Sequence, residues 1–162
     1  MAYVGIDPST KTGFVILDER GNVRCEKEIT AKSKNDPERF IEITEHIFNH
    51  IKPDDKIGIE GFAYGAKGKG VSVQYGIGWA IRIELKKRGF TYTEITPGSL
   101  KKFATGKGNT KKDGMVLPIY KRWGFEGISD NTRDAYVMAQ IMRYLDGHGT
   151  PIGSQTEVLQ KI

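Results

Sequence analysis

The sequence predicts an α/β fold, a mixed five-stranded sheet with helices on both faces. Three observations carry this. Short apolar runs bounded by turn residues recur as strands. Longer segments place apolar residues at helical spacing. Their order, three strands followed by alternating helices and strands with closing helices, is that of a layered α/β domain.

The elements follow in chain order. Residues 2–7, Ala-Tyr-Val-Gly-Ile-Asp, read as a buried strand ending at a carboxylate. Pro8 to Gly13 is a turn, Phe14 to Leu17 a second strand, and Asp18 to Gly21 a hairpin turn leading to a third strand over 23–30. Residues 37–51 carry Phe40, Ile41, Ile43, Ile47, Phe48 and Ile51 at helical spacing, with Pro37 suited to a first turn. Lys56 to Glu60 is a fourth strand, again ending at a carboxylate. A glycine-rich loop spans 61–70, a helix 71–88 despite Gly76 and Gly78, and a fifth strand 91–95. Helices are expected over 97–104, 111–123 and 131–145. The division is a domain over 1–146 and a loose C-terminal tail over 147–162.

Composition narrows the class. Hydrophobic residues make up 38% and charged residues 28%, as in ordinary soluble proteins, and the apolar runs are too short to span a bilayer. No charged stretch followed by an apolar one opens the chain, so no secretory signal is expected. The single cysteine, Cys25, cannot form an intramolecular disulfide. Both suit a bacterial cytoplasm, with a phage-encoded origin as the alternative. The net charge of +5 is unevenly spread. Residues 61–125 hold 13 Lys and Arg against 3 acids, while both flanking segments are net acidic. A basic block of this kind favours a polyanion, nucleic acid first. A solvated lysine-rich surface is the alternative.

Three acids sit where a carboxylate is expensive unless it is used. Asp7 and Glu60 each end an apolar strand, and Asp134 adjoins the run Ala135-Tyr136-Val137-Met138-Ala139. Brought together they would repel one another without cations. Mg²⁺ prefers such oxygen ligands, and a pair of ions held this way suits phosphodiester cleavage. Each acid has a plainer reading. Asp7 could form a turn before Pro8, Glu60 could pair with a lysine, and Asp134 with Arg133 or Arg143. Asp130 could be a helix N-cap. His46, His50 and His148 show no metal-ligand spacing.

With these motifs in order, the chain resembles the RuvC family of Holliday-junction resolvases. Val4-Gly5-Ile6-Asp7-Pro8-Ser9-Thr10-Lys11-Thr12-Gly13-Phe14 is similar to that family's first strand and turn, Ile59-Glu60-Gly61-Phe62 to its second acidic motif, and Asp134-Ala135-Tyr136-Val137-Met138-Ala139 to its last acidic helix. Leu100-Lys101-Lys102-Phe103 and Thr110-Lys111-Lys112-Asp113 resemble its two basic segments. The resemblance runs from about residue 3 to residue 145. It implies an RNase H-like fold and a divalent-metal-dependent endonuclease acting on branched DNA, four-way junctions first, with forks and flaps as further substrates. It further implies two Mg²⁺ or Mn²⁺ ions held by Asp7, Glu60 and Asp134, Lys112 at the scissile phosphate, and Lys101 on the backbone.

The family's additional acid falls at Asn131 here. Asp130, one turn before Asp134, stands as the fourth ligand instead, with the Asn131 amide as the alternative. The resemblance assigns an aromatic wedge to the loop that holds Phe62 and Tyr64; a core role for Phe62 is the alternative. Lys67, Lys69, Lys107, Lys111 and Lys112 are expected on DNA phosphates. Glycines inside helix 71–88 suggest close helix packing, which with the family's pairing through this region implies a homodimer. Competing readings are an RNA-processing nuclease of the same fold and a junction-binding module that does not cut. An actin-like ATPase would need a second, similar domain.

Overall fold

A computed structural model describes residues 1–162. Three strands form the opening meander: β1 (Tyr3–Asp7), β2 (Thr12–Leu17) and β3 (Val23–Ile29). Helix α1 (Glu38–Phe48) leads to β4 (Lys56–Glu60), and α2 (Val71–Lys87) to β5 (Tyr92–Ile95). Then come α3 (Pro97–Thr105), a 3-10 turn (Lys112–Met115), α4 (Val116–Trp123), α5 (Asp130–Leu145) and α6 (Gly153–Lys161). The sheet order is β3-β2-β1-β4-β5. β1, β2 and β3 pair antiparallel, whereas β1–β4 and β4–β5 pair parallel. The expected mixed five-stranded sheet is therefore present. No helix is long and apolar enough to cross a membrane.

Strand side chains alternate between faces, and this divides the core. Val4, Ile6, Phe14, Ile16, Ile57 and Ile59 face α1 and α2, packing with Ile43, Ile47, Ile77 and Ile81. Tyr3, Val15 and Leu17 face the other way, onto α5 and α3. On β1 and β4 that second face also carries Gly5 and Gly58, and by the same alternation Asp7 and Glu60. Helix α5 lies directly on it. A Cβ on Gly5 would stand 1.8 Å from the Ala135 carbonyl oxygen, so only glycine lets α5 approach this closely.

Two expectations change. The segment after residue 147 is not loose throughout, because Gly153–Lys161 forms α6, packed against α3. Val158 and Gln155 are buried, the Gln155 amide donates to the Phe103 carbonyl, and Glu157 pairs with Lys102. The helix expected over 111–123 begins as a 3-10 turn, with Lys111 and Lys112 at its start.

Candidate metal centre

β1 and β4 run side by side and parallel, with Ile6 opposite Ile59. Their carboxyl ends therefore lie together and aim Asp7 and Glu60 to the same face. α5 crosses that face and brings Asp134 from its second turn. Asp7, Glu60 and Asp134 each offer a carboxylate oxygen, all within 4.8 Å of one another. Asp7 is buried and the other two are half-buried.

Three carboxylates this close cannot all ionise without a counter-charge. Burial, then Glu60 and Asp134, hold the Asp7 carboxyl well above the usual carboxylate range. Burial also raises Glu60, while a hydrogen bond with Asp7 and the charges of Lys101 and Lys112 act to lower it. Asp134 is pushed up to about 7, first by burial and then by Glu60. Without a cation the Asp7–Glu60 pair therefore holds a proton more readily than free carboxylates do. A hard divalent cation would relieve the repulsion, because the donor set is all oxygen and its net charge is negative. The donor chemistry therefore fits the expected metal.

The ion-pair readings of Glu60 and Asp134 and the N-cap reading of Asp130 are not met in the fold. Glu60 forms no ion pair with a lysine, and Arg133 pairs with Asp130 rather than with Asp134. Asp130 is not the N-cap of α5. Ser129 is, its hydroxyl accepting from the Thr132 N–H at 3.2 Å. Asp130 opens the helix one turn before Asp134, where its charge helps raise the Asp134 carboxyl. It lies outside the group of three that converge. The Asn131 amide donates to the Lys11 carbonyl at 2.9 Å and so fastens α5 to the β1–β2 turn.

Lys101 on α3 and Lys112 on the 3-10 turn are the cations whose fields reach the carboxylates. Lys112, Lys111 and Lys107 are exposed. The loop that carries Lys107 is drawn tight by the Thr105 and Thr110 hydroxyls, 2.7 Å apart. Lys67 and Lys69 stand exposed on the loop after β4. Lys102, adjacent to Lys101, is instead engaged by Glu157.

Beside the carboxylates opens a small cleft, lined by Asp7, Glu60, Phe62, Gln74, Tyr75 and Arg82 among others. Phe62 is neither free nor core. It is half-buried in an aromatic group with Tyr75 at 5.2 Å and Trp79 at 5.0 Å between ring centroids. Tyr64, 82% exposed, is the aromatic offered to solvent. Sequence reasoning did not find Tyr75, Trp79 or Arg82 as members of this site. The glycines of α2 also have a different cause from the one expected. A Cβ on Gly76 would meet Phe40 of α1 at 2.6 Å, and one on Gly78 would meet Phe62 at 2.7 Å. Both serve packing within the chain, so they no longer argue for a second copy.

Thermus thermophilus RuvC superposes on this chain with a TM-score of 0.70, covering 94% of this chain and 100% of its own, at 16% identity. The chain has the RuvC fold. T. thermophilus RuvC in complex with Holliday junction substrate gives a TM-score of 0.67, also at 16% identity, covering 94% of this chain and 99% of its own. The RNase H-like architecture implied by the motifs is thus present from the first strand to the closing helices. No family sequence model matches the chain, and no curated protein matches it in sequence.

Proposed function

We propose that this protein is a divalent-metal-dependent endonuclease that hydrolyses phosphodiester bonds in branched DNA, with four-way junctions as its principal substrate. The observation that carries the reading is the convergence of Asp7, Glu60 and Asp134 from β1, β4 and α5, beside Lys101 and Lys112. A RuvC-like fold supports it, as does the solved junction complex of a protein of that fold. A non-cutting module would have no use for one buried and two half-buried carboxylates held together, which cost stability unless they hold cations.

Asp7, Glu60 and Asp134 would hold Mg²⁺ or Mn²⁺. Such ions, when bound as a pair, activate the attacking water and stabilise the leaving oxygen. Lys112 neutralises charge on the scissile phosphate and Lys101 places the adjoining backbone. Asp130 completes the ligand set once Arg133 releases it. Lys67, Lys69, Lys107 and Lys111 bind flanking phosphates, and Phe62 and Tyr64 stack on bases exposed at the branch point, each such stack contributing roughly 1–3 kcal/mol.

Two symmetric cuts need two active sites, so the acting form is a homodimer. What supports this now is the outer face of α1 and α2, where Ile41, Trp79 and Ile83 are 52%, 53% and 54% exposed. The setting is a bacterial cytoplasm, with the chain encoded by the cell or by a phage.

The test is cleavage of a labelled panel of four-way junction, fork, flap, linear DNA and matched RNA with Mg²⁺ or Mn²⁺. Metal-dependent cutting of the junction above the linear duplex is expected, and it should vanish in Asp7→Asn. Preference for the RNA strands would move the protein to RNA processing. Binding of the junction with no cleavage under either metal would sink the nuclease reading.

A further inference from the structure

Arg82 belongs to the basic block by sequence, yet it is 2% exposed. A buried guanidinium is costly, and apolar residues of similar volume often fill such space at equal or better stability. Here each of the three guanidinium nitrogens of Arg82 has an acceptor. Its Nε donates to Glu94 Oε1 at 2.7 Å, its Nη1 to the Gly78 carbonyl at 3.0 Å, and its Nη2 to the Glu60 carbonyl at 3.0 Å. The Phe62 ring lies over it, with the guanidinium carbon 4.2 Å from the ring centroid.

The Glu60 contact stands out. Glu60 and Ile95 are the last pair of the β4–β5 ladder, and the Gly61 N–H bonds back to the Ile95 carbonyl at 2.8 Å. Beyond that point the chain leaves the sheet. Arg82 thus grips the main chain where regular pairing ends, and two residues later it stacks on Phe62. Gly78 has no side chain where this stack sits. A Cβ there would lie 2.7 Å from the Phe62 ring and 3.2 Å from Arg82 Nη1.

We propose that Arg82 is the positioning residue of the metal centre, holding the Glu60 main chain and the Phe62 ring with one planar cation and so setting where the Glu60 carboxylate stands. This rests on the metal-nuclease reading above. Arg82 meets the carbonyl of Glu60, not its carboxylate, so it acts through placement rather than by competing for the ligand oxygens. Lysine cannot replace it, because a single ammonium neither serves three separated acceptors in a plane nor lies flat on a ring.

The experiment is Mn²⁺ titration by calorimetry on the metal-free folded chain, for the parent and for Arg82→Lys, with a thermal melt of each. Weaker Mn²⁺ binding by about 10- to 100-fold is expected, as when groups that orient metal ligands are lost, with a parallel rise in the metal needed for half-maximal cleavage. Mn²⁺ affinity equal to the parent's, with only a lower melting temperature, would overturn the proposal and leave Arg82 as a packing residue. If Arg82→Lys does not fold, Gly78→Ala takes its place, since it displaces the ring and the guanidinium while leaving both present. Weaker Mn²⁺ binding is again expected, and unchanged binding overturns the proposal. A parent chain that neither binds Mn²⁺ nor cuts any branched DNA would defeat the metal reading itself, and Arg82's role with it, before any variant is compared.

Discussion

Replacing Asp134 by Asn removes a charge while keeping the side chain's shape, and the structure sets the size of the effect. Asp134 titrates at about 7 rather than at its ordinary 3.8, chiefly because it is buried and faces Glu60. That rise corresponds to a ceiling of about 4 kcal/mol disfavouring the charged form in the metal-free fold. Its folded value lies above its unfolded value. The stability it contributes is therefore fully present below about pH 4, declines as pH rises, and is gone above about 7. An amide still needs hydrogen-bond partners, so a gain of about 2 kcal/mol at pH 8 is a reasonable share of the ceiling. For a chain of this length that corresponds to roughly 4–8 °C in melting temperature. The assay is thermal unfolding of parent and Asp134→Asn in EDTA at pH 8 and pH 5. The variant should melt higher at pH 8, with most of the difference lost at pH 5, and it should not cleave with Mg²⁺. An Asp134→Asn protein that melts lower than the parent at pH 8 would refute the reasoning, because a stabilising ion pair would then explain the residue better.

Three further outcomes are expected. Asp130→Asn should lose most cleavage activity with a melting temperature near the parent's, while Asn131→Ala should keep activity and lose about 1 kcal/mol through its bond to Lys11; active Asp130→Asn with inactive Asn131→Ala in the same cleavage assay would exchange their roles. Replacing Lys107, Lys111 or Lys112 by Ala should weaken junction binding and flatten its salt dependence by about one unit per lost phosphate contact, read from binding titrations across salt concentrations, with Lys112→Ala also slowing cleavage at saturating protein. Val158→Ala should destabilise the chain by about 1–2 kcal/mol in urea unfolding, since Val158 is the apolar side chain that α6 buries in the core; a change within error would mean that the helix adds nothing to the domain.

The carboxylate triad was legible because strand alternation and strand ends are local signals. Asp7 and Glu60 each close a run in which isoleucines mark the opposite face, and Asp134 borders an apolar helical stretch. What stayed hidden depends on partners distant in sequence. Gly76 and Gly78 looked like a surface prepared for another protomer, yet the atoms they accommodate belong to Phe40 and Phe62. Arg82 and Lys102 count as free cations in a charge tally, although the fold places them against Glu94 and Glu157. The basic block therefore offers less available charge than its composition implies. α6 follows Gly147, Gly149 and Pro151 and has few apolar residues, so it reads as a tail; its partner, α3, lies some fifty residues earlier. Ser129 and Asp130 are both favoured caps, and only the backbone geometry separates them.

The contact between Gly5 and the Ala135 carbonyl has a consequence for any screen that scores loss of cleavage. Gly5→Ala would prise α5 from the sheet and carry Asp134 away from Asp7, so it would register as inactive beside Asp7→Asn. The two would look like equal members of the chemistry, although glycine donates nothing to a cation or a phosphate. Melting without metal separates them: Asp7→Asn should hold or gain stability by removing a carboxyl whose ionisation the metal-free fold opposes, and Gly5→Ala should lose it. The spacing between the carboxylates is thus set by a position whose contribution is the space it leaves open.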